Sequence, residues 1–500
     1  MAEGPFLLGI DAGNTVIKAV LFDASGGVIA SLAVDGSTVH PAPGHVERDM
    51  DELWLNAAAV IRGCIETAAV KGSAIAAIGC AGHGNGLYLV DAADRPLIAV
   101  QSLDSRAAVL AEELRRDRNG ERLRDICRQR PWPSQTPTLL AWLRRNRPDV
   151  FARAACLLFC KDVVTLRLTG QRASEISDMS AAGLMRLPCA RYDNTLLDGY
   201  GLGDARTLLP KLHLPTDIVG TVTLSAAAET GLAAGTPVVA GLIDVVASAL
   251  GSGAVEPGQA SIVMGSWGIN QVVADRVVDD PDLFLMSAFA PQRLMALEAS
   301  ATSAANLEWY VREFVERGAL HPDPFGFCHK RMGDVNPAPD DPYFQPYLYG
   351  SGEDPAMRAA FLGLAGRHRE GHLIRAILEG VAFEHRRHID VLRRAGLDFD
   401  EAILSGGGAR SDTWSQMLAD VLGVPVSVSE CEEAGALGAA MAAAVGAGLR
   451  PSLDRAVAAM ARPDHRRFRP DSSVAAHFEA RYQTARRLAT AMRPIWSGDI

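Results

Sequence analysis

An aspartate near the middle of the chain is the first candidate for catalysis. Asp244 comes shortly after the apolar run at residues 237–240, which ends at Gly241. A short apolar run that is rich in β-branched residues and bounded by glycine predicts a buried strand. We therefore expect Asp244 at the carboxyl-terminal edge of a strand, where an acid is well placed for chemistry.

A turn near the N-terminus has residue types that suit phosphate binding. It follows an apolar strand and contains Asp11, Gly13, Asn14, Thr15 and Lys18. The glycine lets backbone N–H groups approach an anion, the threonine adds a hydroxyl donor and the lysine adds positive charge. The aspartate is placed to hold a hydrated magnesium ion. An ordinary β-turn is the alternative, because short motifs of this kind also occur without a ligand.

A second turn with similar chemistry follows a strand in the second half of the chain. It contains Gly265 and Ser266 between two apolar segments. Two phosphate-binding turns that face one cleft would explain why the chain repeats a structural plan. Two unrelated turns remain the alternative.

A third glycine-rich motif links a predicted strand to a predicted helix. It contains Gly406, Gly407 and Gly408 and continues through Ser411 to Gln416. Consecutive glycines permit a flat or phosphorylated ligand to approach the backbone closely. A flexible connecting loop is the alternative.

A further turn, at residues 82–86, alternates glycine with polar residues. His83 and Asn85 flank Gly84 and offer two side chains to sugar hydroxyls, although a plain turn would have the same glycines. His385 and His388 lie one helical turn apart, but no HExxH pattern accompanies them. Their arginine-rich neighbours favour a solvated helix face over a metal site.

Two familiar nucleotide-binding motifs are absent from the sequence. No GxGxxG occurs, and none of the five lysines follows a glycine. Both the dinucleotide fingerprint and the P-loop are therefore excluded. If the protein binds ATP, it does so in another way.

The elements that must position these residues form two similar series. Strands are predicted at residues 6–10, 16–23 and 28–34, followed by a helix at 50–69 and a strand at 75–80. The second half repeats this order, with strands at 261–264, 269–273 and 294–298, helices at 302–317, 372–394 and 411–422, and a strand at 402–405. The alanine-rich residues 434–447 predict a tightly packed helix. We infer two copies of one α/β plan.

Length and composition agree with two domains. The chain has 500 residues and 48% hydrophobic content, whereas single cores stop growing at about 250 to 300 residues. Gly251 and Gly253 interrupt the pattern near the middle. We place the domains at residues 1–253 and 254–500.

Charge and cysteine usage limit the class of protein. The net charge is −10, without a basic face for nucleic acid or a polybasic membrane tract. The eight cysteines are widely spaced and form no CxxC pair, which favours a reducing compartment. No segment approaches the roughly 20 apolar residues of a membrane span. We expect a cytoplasmic metabolic protein.

Three segments together resemble the FGGY family of carbohydrate kinases. They are GIDAGNTVIKAVLFD, GLIDVVASALGSG with GSWG, and LSGGGARSDTWSQMLADVLGVPV, and weaker matches include KDVVTLRLTG. The resemblance covers nearly the whole chain. It implies two actin-like, RNase H-like domains that bind ATP and a sugar in the cleft between them.

The resemblance implies a role for each motif. Asp244 matches the general base, which would orient the acceptor hydroxyl and accept its proton, and Asp11 matches the magnesium-linked acid. The first phosphate loop corresponds to Gly13, Asn14, Thr15 and Lys18, and the second to Gly265 and Ser266. The adenosine pocket corresponds to Gly406, Gly407, Gly408, Ser411 and Gln416. The sugar pocket corresponds to His83, Gly84, Asn85, Asp104 and Arg106, together with Asp244.

The resemblance also limits the range of candidate substrates. His83, Gly84 and Asn85 replace the Gln, Met and His that xylulokinases carry, and this turn is closer to the L-xylulose kinase and erythritol kinase branch. The implied reaction is ATP- and Mg²⁺-dependent phosphorylation of L-xylulose or a related ketopentose or polyol. An actin-like ATPase that regulates a protein partner and an inactive sugar sensor are the alternatives. A homodimer is the expected assembly if the protein oligomerises.

Overall fold

The computed structural model describes residues 4–116, 118–351 and 356–497. The strands of the first half are β1 (Phe6–Ala12), β2 (Val16–Phe22), β3 (Val28–Asp35), β4 (Ile75–Gly82), β5 (Leu87–Val90), β6 (Pro96–Val100), β7 (Cys156–Leu158), β8 (Ala173–Glu175), β9 (Met185–Arg186), β10 (Arg191–Tyr192), β11 (Lys211–His213), β12 (Ile218–Thr221), β13 (Pro237–Val239) and β14 (Leu242–Ile243). Its helices are α1 (Met50–Ala68), α2 (Ala108–Arg116), α3 (Arg118–Cys127), α4 (Thr136–Asn146), α5 (Pro148–Arg153), α6 (Cys160–Thr169), α7 (Ile176–Ala181), α8 (Asn194–Gly199), α9 (Leu224–Thr230) and α10 (Asp244–Ser252).

The second half continues with a similar series. Its strands are β15 (Ala260–Met264), β16 (Gly268–Ala274), β17 (Leu285–Ala290), β18 (Arg293–Ser300), β19 (Tyr343–Gln345), β20 (Ala360–Leu362), β21 (Ala402–Ser405), β22 (Val426–Ser429) and β23 (Pro463–Phe468). Its helices are α11 (Ala305–Tyr310), α12 (Pro324–Gly333), α13 (Glu370–Arg394), α14 (Asp412–Leu422), α15 (Ala434–Gly446), α16 (Leu453–Met460) and α17 (Ala475–Ser497).

The first half is organised around a mixed sheet in the order β12-β13-β4-β1-β2-β3, to which β14 adds by pairing with β4. β1, β2 and β3 form the predicted antiparallel meander, whereas β4 is parallel to β1 and β14 is parallel to β4. The carboxyl ends of β1, β4 and β14 therefore meet at one edge of the sheet. That edge is where parallel α/β sheets usually bind ligands.

The second half repeats this arrangement in a sheet of order β17-β18-β16-β15-β21-β22-β23. β15, β16 and β18 form the meander, and β21 and β22 continue the sheet in parallel with β15. The predicted α/β architecture with a duplicated plan is confirmed.

Two helices, α10 and α15, form a layer between the sheets. Their apolar residues belong to one buried cluster with Phe22 and Ala77 of the first sheet and Val273 and Met295 of the second. A β-carbon at Gly79 of β4 would lie 2.0 Å from the carbonyl oxygen of Ala439, so only glycine permits this approach. The alanine-rich segment is thus the tightly packed helix that the sequence predicts, because small side chains let its backbone lie against β1 and β4.

Several sequence expectations need correction. β17 was not predicted and extends the second sheet beyond the meander, as its edge strand. The helix expected at 302–317 is shorter, because α11 gives way to a π-helical turn at Val311–Val315. The expected solvated face of α13 at His385 and His388 is wrong. Both rings are buried, where they bond the Asn270 side chain of β16 at 2.9 and 2.8 Å.

All eight cysteines are free thiols. In the described part of the chain, no helix combines the length and apolar character needed to cross a membrane.

Candidate active site

Asp11 and Asp244 face each other at the edge where β1, β4 and β14 end. Asp11 pairs with Ala81 of β4, and Ala81 pairs on its other side with Leu242 of β14. Asp244 follows β14 directly and is the first residue of α10. The register of three parallel strands therefore brings both carboxylates to one place, although 233 positions separate them in the sequence.

The surroundings of the two acids favour their neutral forms. Burial, together with the nearby charge of Asp11, raises the pKa of Asp244 to about 7, against a 2.7 Å hydrogen bond from the Val245 N–H. Burial also raises the pKa of Asp11 to about 6, where Lys18 opposes the rise and Glu433 adds to it. A carboxylate with a pKa near neutrality is suited to accepting a proton at neutral pH.

The segment that begins α15 closes around Asp11. Lys18 donates to Glu433 at 2.9 Å, and a β-carbon at Gly435 would lie 2.5 Å from Oδ2 of Asp11. Glu432 pairs with Arg410 of the third glycine-rich motif at 2.9 Å. This segment therefore connects the first turn with the third motif.

A buried arginine holds the first turn in place. Arg48 donates to the carbonyl oxygens of Gly13 and Asn14 at 3.0 and 2.5 Å. The Asn14 side chain donates to Ser102 at 2.9 Å, so its N–H group is engaged within the protein. Thr15 is exposed. Of the expected donors in this turn, the Thr15 hydroxyl is therefore the one that faces solvent.

The second turn and the third motif lie side by side. Gly406 has φ of +89°, and a β-carbon there would lie 2.8 Å from the Met264 carbonyl and 3.1 Å from the Gly265 nitrogen. A β-carbon at Gly407 would meet no atom within 4 Å. Gly406 thus brings the two backbones together, and Gly407 borders open space. Ser266 is exposed at the tip of the second turn.

The polar residues after the third motif have internal partners. Ser411 caps α14 by accepting from the Trp414 N–H at 3.1 Å, and it contacts Nε2 of His329 at 2.8 Å. The Gln416 amide donates to Asp420 and to the carbonyl of Arg469, both at 2.8 Å. Both side chains organise the start of α14 and its contact with residues 469–471.

The turn at residues 82–86 lies directly against the side chain of Ile243, the residue before Asp244. A β-carbon at Gly84 would lie 2.1 Å from Cδ1 of Ile243, so a larger residue would displace that side chain. Asn85 is buried in the left-handed region with φ of 59°, and its Oδ1 has no hydrogen-bond partner. His83 points away to the Tyr88 hydroxyl at 2.8 Å. Burial, with the charge of Arg48, lowers the pKa of His83 to about 3, so this ring is neutral.

Asp104 and Arg106 form a buried pair with each other. Arg106 Nη2 lies 2.9 Å from Oδ2 of Asp104 and 2.7 Å from Oε1 of Glu47, and its guanidinium covers the Trp142 ring at 5.3 Å. Asp104 also accepts from the Val46 N–H at 2.6 Å. The structure therefore uses this pair to hold two loops together.

Two features of the structure escaped the sequence interpretation. Helix α7 carries Ser177, whose hydroxyl accepts from the Ile243 N–H at 3.0 Å. Trp132 contacts Phe284 of the second half, with ring centroids 5.3 Å apart, and its Nε1 has no partner. The KDVVTLRLTG segment was the available signal for the first, since Lys161 packs against α7. The sequence contains no comparable pattern around Trp132.

Both halves of the chain match models of one known protein family. The N-terminal domain of the FGGY family of carbohydrate kinases matches residues 6–251, and the C-terminal domain of that family matches residues 260–447.

Full-length relatives and a solved structure agree with this match. The chain is 33% identical to an L-xylulose/3-keto-L-gulonate kinase of Escherichia coli (strain K12), over 98% of this chain and 97% of the relative. It is 30% identical to an erythritol kinase of Brucella abortus (strain 2308), over 99% and 98%. The crystal structure of a xylulose kinase from Rhodospirillum rubrum superposes with a TM-score of 0.88 at 27% identity, over 98% of this chain and 100% of that one.

Proposed function

The chain belongs to the FGGY family of carbohydrate kinases, and on that premise we propose that Asp244 is the general base in phosphoryl transfer from ATP to a sugar or polyol hydroxyl. The protein is an ATP-dependent carbohydrate kinase with the two-domain, actin-like fold of that family. The comparisons lend no support to the alternative of a regulatory ATPase.

One observation carries the role of Asp244. Its carboxylate lies at the edge where three parallel strands end, and burial with the charge of Asp11 raises its pKa to about 7. A base of this pKa is largely ionised slightly above neutrality and still binds a proton well enough to draw it from an alcohol. Asp244 orients the acceptor hydroxyl and takes its proton as the new bond to phosphorus forms.

We assign Asp11 to a magnesium ion. Two half-buried carboxylates that face each other offer oxygen donors of the kind Mg²⁺ takes, usually one or two carboxylates with the substrate phosphates and water. Bound Mg²⁺ supplies positive charge that offsets the charge of the phosphoryl group in transfer. Lys18, on the neighbouring strand, keeps Glu433 neutralised beside this site.

The nucleotide lies along the second and third motifs in this proposal. The exposed hydroxyls of Thr15 and Ser266 approach the phosphates. Gly13 and Gly265 shape the two turns, since their N–H groups donate to the carbonyls of Val16 and Trp267 at 3.0 and 3.2 Å. Gly407 borders open space where a base or ribose can pack. Ser411 and Gln416 contribute by fixing the start of α14, since both have partners within the protein.

The acceptor lies between Asp244 and the turn at residues 82–86. Asn85 is its most direct ligand here, because its buried Oδ1 has no partner in the protein. Such an unpaired acceptor is costly unless a substrate hydroxyl or water satisfies it. His83 and the Asp104–Arg106 pair support the acceptor site through the loops that they hold.

We propose a small ketose or polyol of the L-xylulose and erythritol type as the acceptor. The support comes from relatives that carry those names at 33% and 30% identity over nearly the whole chain. Xylulose kinase of Escherichia coli (strain K12) is similarly related, at 30% identity. The small residue at position 84 distinguishes the chain from the xylulokinase pattern and leaves room for Ile243 instead of a longer side chain.

A panel of acceptors tests this proposal directly. ADP release coupled to NADH oxidation is measured with L-xylulose, L-ribulose, D-xylulose, D-ribulose and erythritol, each with Mg²⁺ and ATP. We expect the highest kcat/KM for L-xylulose or erythritol and no turnover without an acceptor. D-xylulose as the best acceptor would contradict the substrate assignment, and ADP release that ignores the acceptor would contradict the kinase mechanism.

A further inference from the structure

Helix α7 holds the peptide between Leu242 and Ile243, one residue before Asp244. The Ser177 hydroxyl accepts a hydrogen bond from the Ile243 N–H at 3.0 Å. β14 is only two residues long and pairs with β4 on one side. The Ser177 hydroxyl therefore gives this short strand a second point of attachment. Asp244 is the next residue along the chain and the first of α10.

The Ser177 hydroxyl is itself fixed by a buried ionic network. It donates to Oε1 of Glu175 at 2.8 Å, which leaves its lone pairs for Ile243. Oε1 of Glu175 lies 3.4 Å from Nζ of Lys161, and Oε1 also accepts from the Asp178 N–H at 2.9 Å. All four side chains are buried, with at most 1% exposed. Because the hydroxyl donates to Glu175 and accepts from Ile243, it has little rotational freedom.

The same short helix contacts the second sheet. The Ser177 carbonyl accepts from the Ser287 hydroxyl at 2.9 Å, and the Ser180 hydroxyl accepts from the Ala288 N–H at 2.8 Å. Ser287 and Ala288 belong to β17, the edge strand of that sheet. Helix α7 therefore lies between the strand that leads to Asp244 and the opposite half of the molecule.

We propose that Ser177 is a positioning residue for Asp244, which it orients through the Ile243 peptide. The inference rests on the proposed role of Asp244 as the general base. The Ser177 hydroxyl fixes the peptide, the peptide fixes the start of α10, and the carboxylate is thereby aimed at the acceptor hydroxyl.

Loss of the hydroxyl has a specific expected effect. In Ser177→Ala the Ile243 N–H is left unpaired in the interior, and the peptide moves to find another partner. A displacement of about 1 Å at a reacting group costs on the order of 10²-fold in rate. We expect kcat to fall about 10- to 100-fold, while the KM values for ATP and the acceptor change less than about 3-fold, because Ser177 contacts neither substrate in this account.

Ser180 provides a matched control on the same helix. It is equally buried, and its hydroxyl likewise accepts one backbone N–H, that of Ala288, which is remote from Asp244 in the sequence. Ser180→Ala should lower the melting temperature about as much as Ser177→Ala but leave kcat within about 2-fold of the wild type. Equal losses of kcat in the two variants would show a general structural role for α7 and overturn the proposal.

A double-mutant cycle with Asp244→Asn completes the test. If Ser177 acts through Asp244, adding Ser177→Ala to Asp244→Asn causes little further loss of kcat, because the group that it positions is already disabled. A further loss of 10-fold or more in the double variant would overturn the proposal. The role of Asp244 is judged separately, by the loss of kcat in Asp244→Asn alone, so failure of one assignment is distinguishable from failure of the other.

Discussion

At the scale of single residues, the two facing acids set the chemistry through their charge. Burial raises the pKa of both Asp11 and Asp244, and the charge of Asp11 adds to the rise for Asp244. A cation between them would relieve this repulsion. In the proposed mechanism, this relief favours binding of the metal–nucleotide complex.

The raised pKa of Asp244 predicts a pH-dependent stability of the ligand-free protein. Its pKa rises from 3.8 to about 7 on folding, so the folded state holds the proton more tightly than the unfolded chain. The associated stabilisation is complete below pH 3.8 and is lost as the pH rises through about 7. Asp244→Asn should therefore melt at a higher temperature than the wild type at pH 8, and the difference should shrink towards pH 5.

Thermal unfolding in metal-free buffer at several pH values measures this effect. Asp149→Asn is the control, because Asp149 lies on the surface with 65% of its side chain exposed. A constant difference between Asp244→Asn and the wild type from pH 5 to 8 would count against the raised pKa.

The Asp104–Arg106 pair allows a test between a structural role and a substrate-binding role. Only 3% of the Arg106 side chain and none of Asp104 is exposed, so Arg106→Ala leaves a buried carboxylate without its cation. We expect a loss of about 3 kcal/mol in the free energy of unfolding, the usual cost of breaking a buried pair. Urea denaturation measures it, with Arg95→Ala as the control because 76% of Arg95 is exposed.

Kinetics of the same variant distinguish support of the site from direct binding. A stable Arg106→Ala protein whose acceptor KM alone rises more than about 10-fold would indicate that Arg106 touches the substrate. That result would contradict the structural role assigned to the pair.

At the scale of elements, α15 and its contacts explain why the central segments are rich in glycine and alanine. A β-carbon at Gly438 would lie 2.0 Å from the carbonyl oxygen of Ala247 in α10, and one at Gly251 would lie 2.0 Å from that of Ala434. The two helices therefore touch through their backbones. This close layer allows elements from both halves to meet around Asp11.

Substitution of a contact glycine tests the layer. In Gly79→Ala the new methyl group meets the backbone of Ala439, which cannot move independently of α15. Overpacking of this kind typically costs 1–3 kcal/mol, and we expect the upper end or more. Gly333→Ala is the control, because a β-carbon there meets no atom within 4 Å. Equal urea midpoints for the two variants would contradict the backbone contact.

Prediction from sequence succeeded where periodicity was strong and local. α1, α13, α14, β1 and β21 were identified within a few residues, and the alanine-rich helix was identified from its composition. β17 was missed because an apolar run at residues 283–290 does not reveal which strand it joins. The burial of His385 and His388 was missed because their partner, Asn270, is more than 100 positions away.

In the candidate site, too, local features were predicted and distant contacts were missed. Glycine-rich turns and the acids after strands were visible in the sequence, because each is a local pattern. Partners were not visible: Asp104 with Arg106 appeared to face a sugar, and His83 appeared to offer a ring, whereas the structure pairs both internally. Side-chain direction depends on tertiary contacts that a single sequence does not encode locally.

At the scale of the whole molecule, the duplicated plan gives each half a part of the reaction. The first sheet carries the paired acids and the acceptor turn, and the second carries the turn and the glycine motif assigned to the nucleotide. α10 begins with Asp244 and is capped at its C-terminus by Gly253, with φ of 112°, which is where we place the domain boundary. In this proposal, domain closure brings acceptor and phosphate together and excludes water that would hydrolyse ATP.

The central claim is that Asp244 accepts the proton of the acceptor hydroxyl, and the kcat of Asp244→Asn tests it most directly. The variant keeps the size of the side chain and its contact with the Val245 N–H, but it removes the basic oxygen. With the best acceptor and saturating ATP, we predict that kcat falls about 10²- to 10⁴-fold, whereas Asp149→Asn retains wild-type turnover. A folded Asp244→Asn protein with near-normal acceptor-dependent kcat would contradict the account.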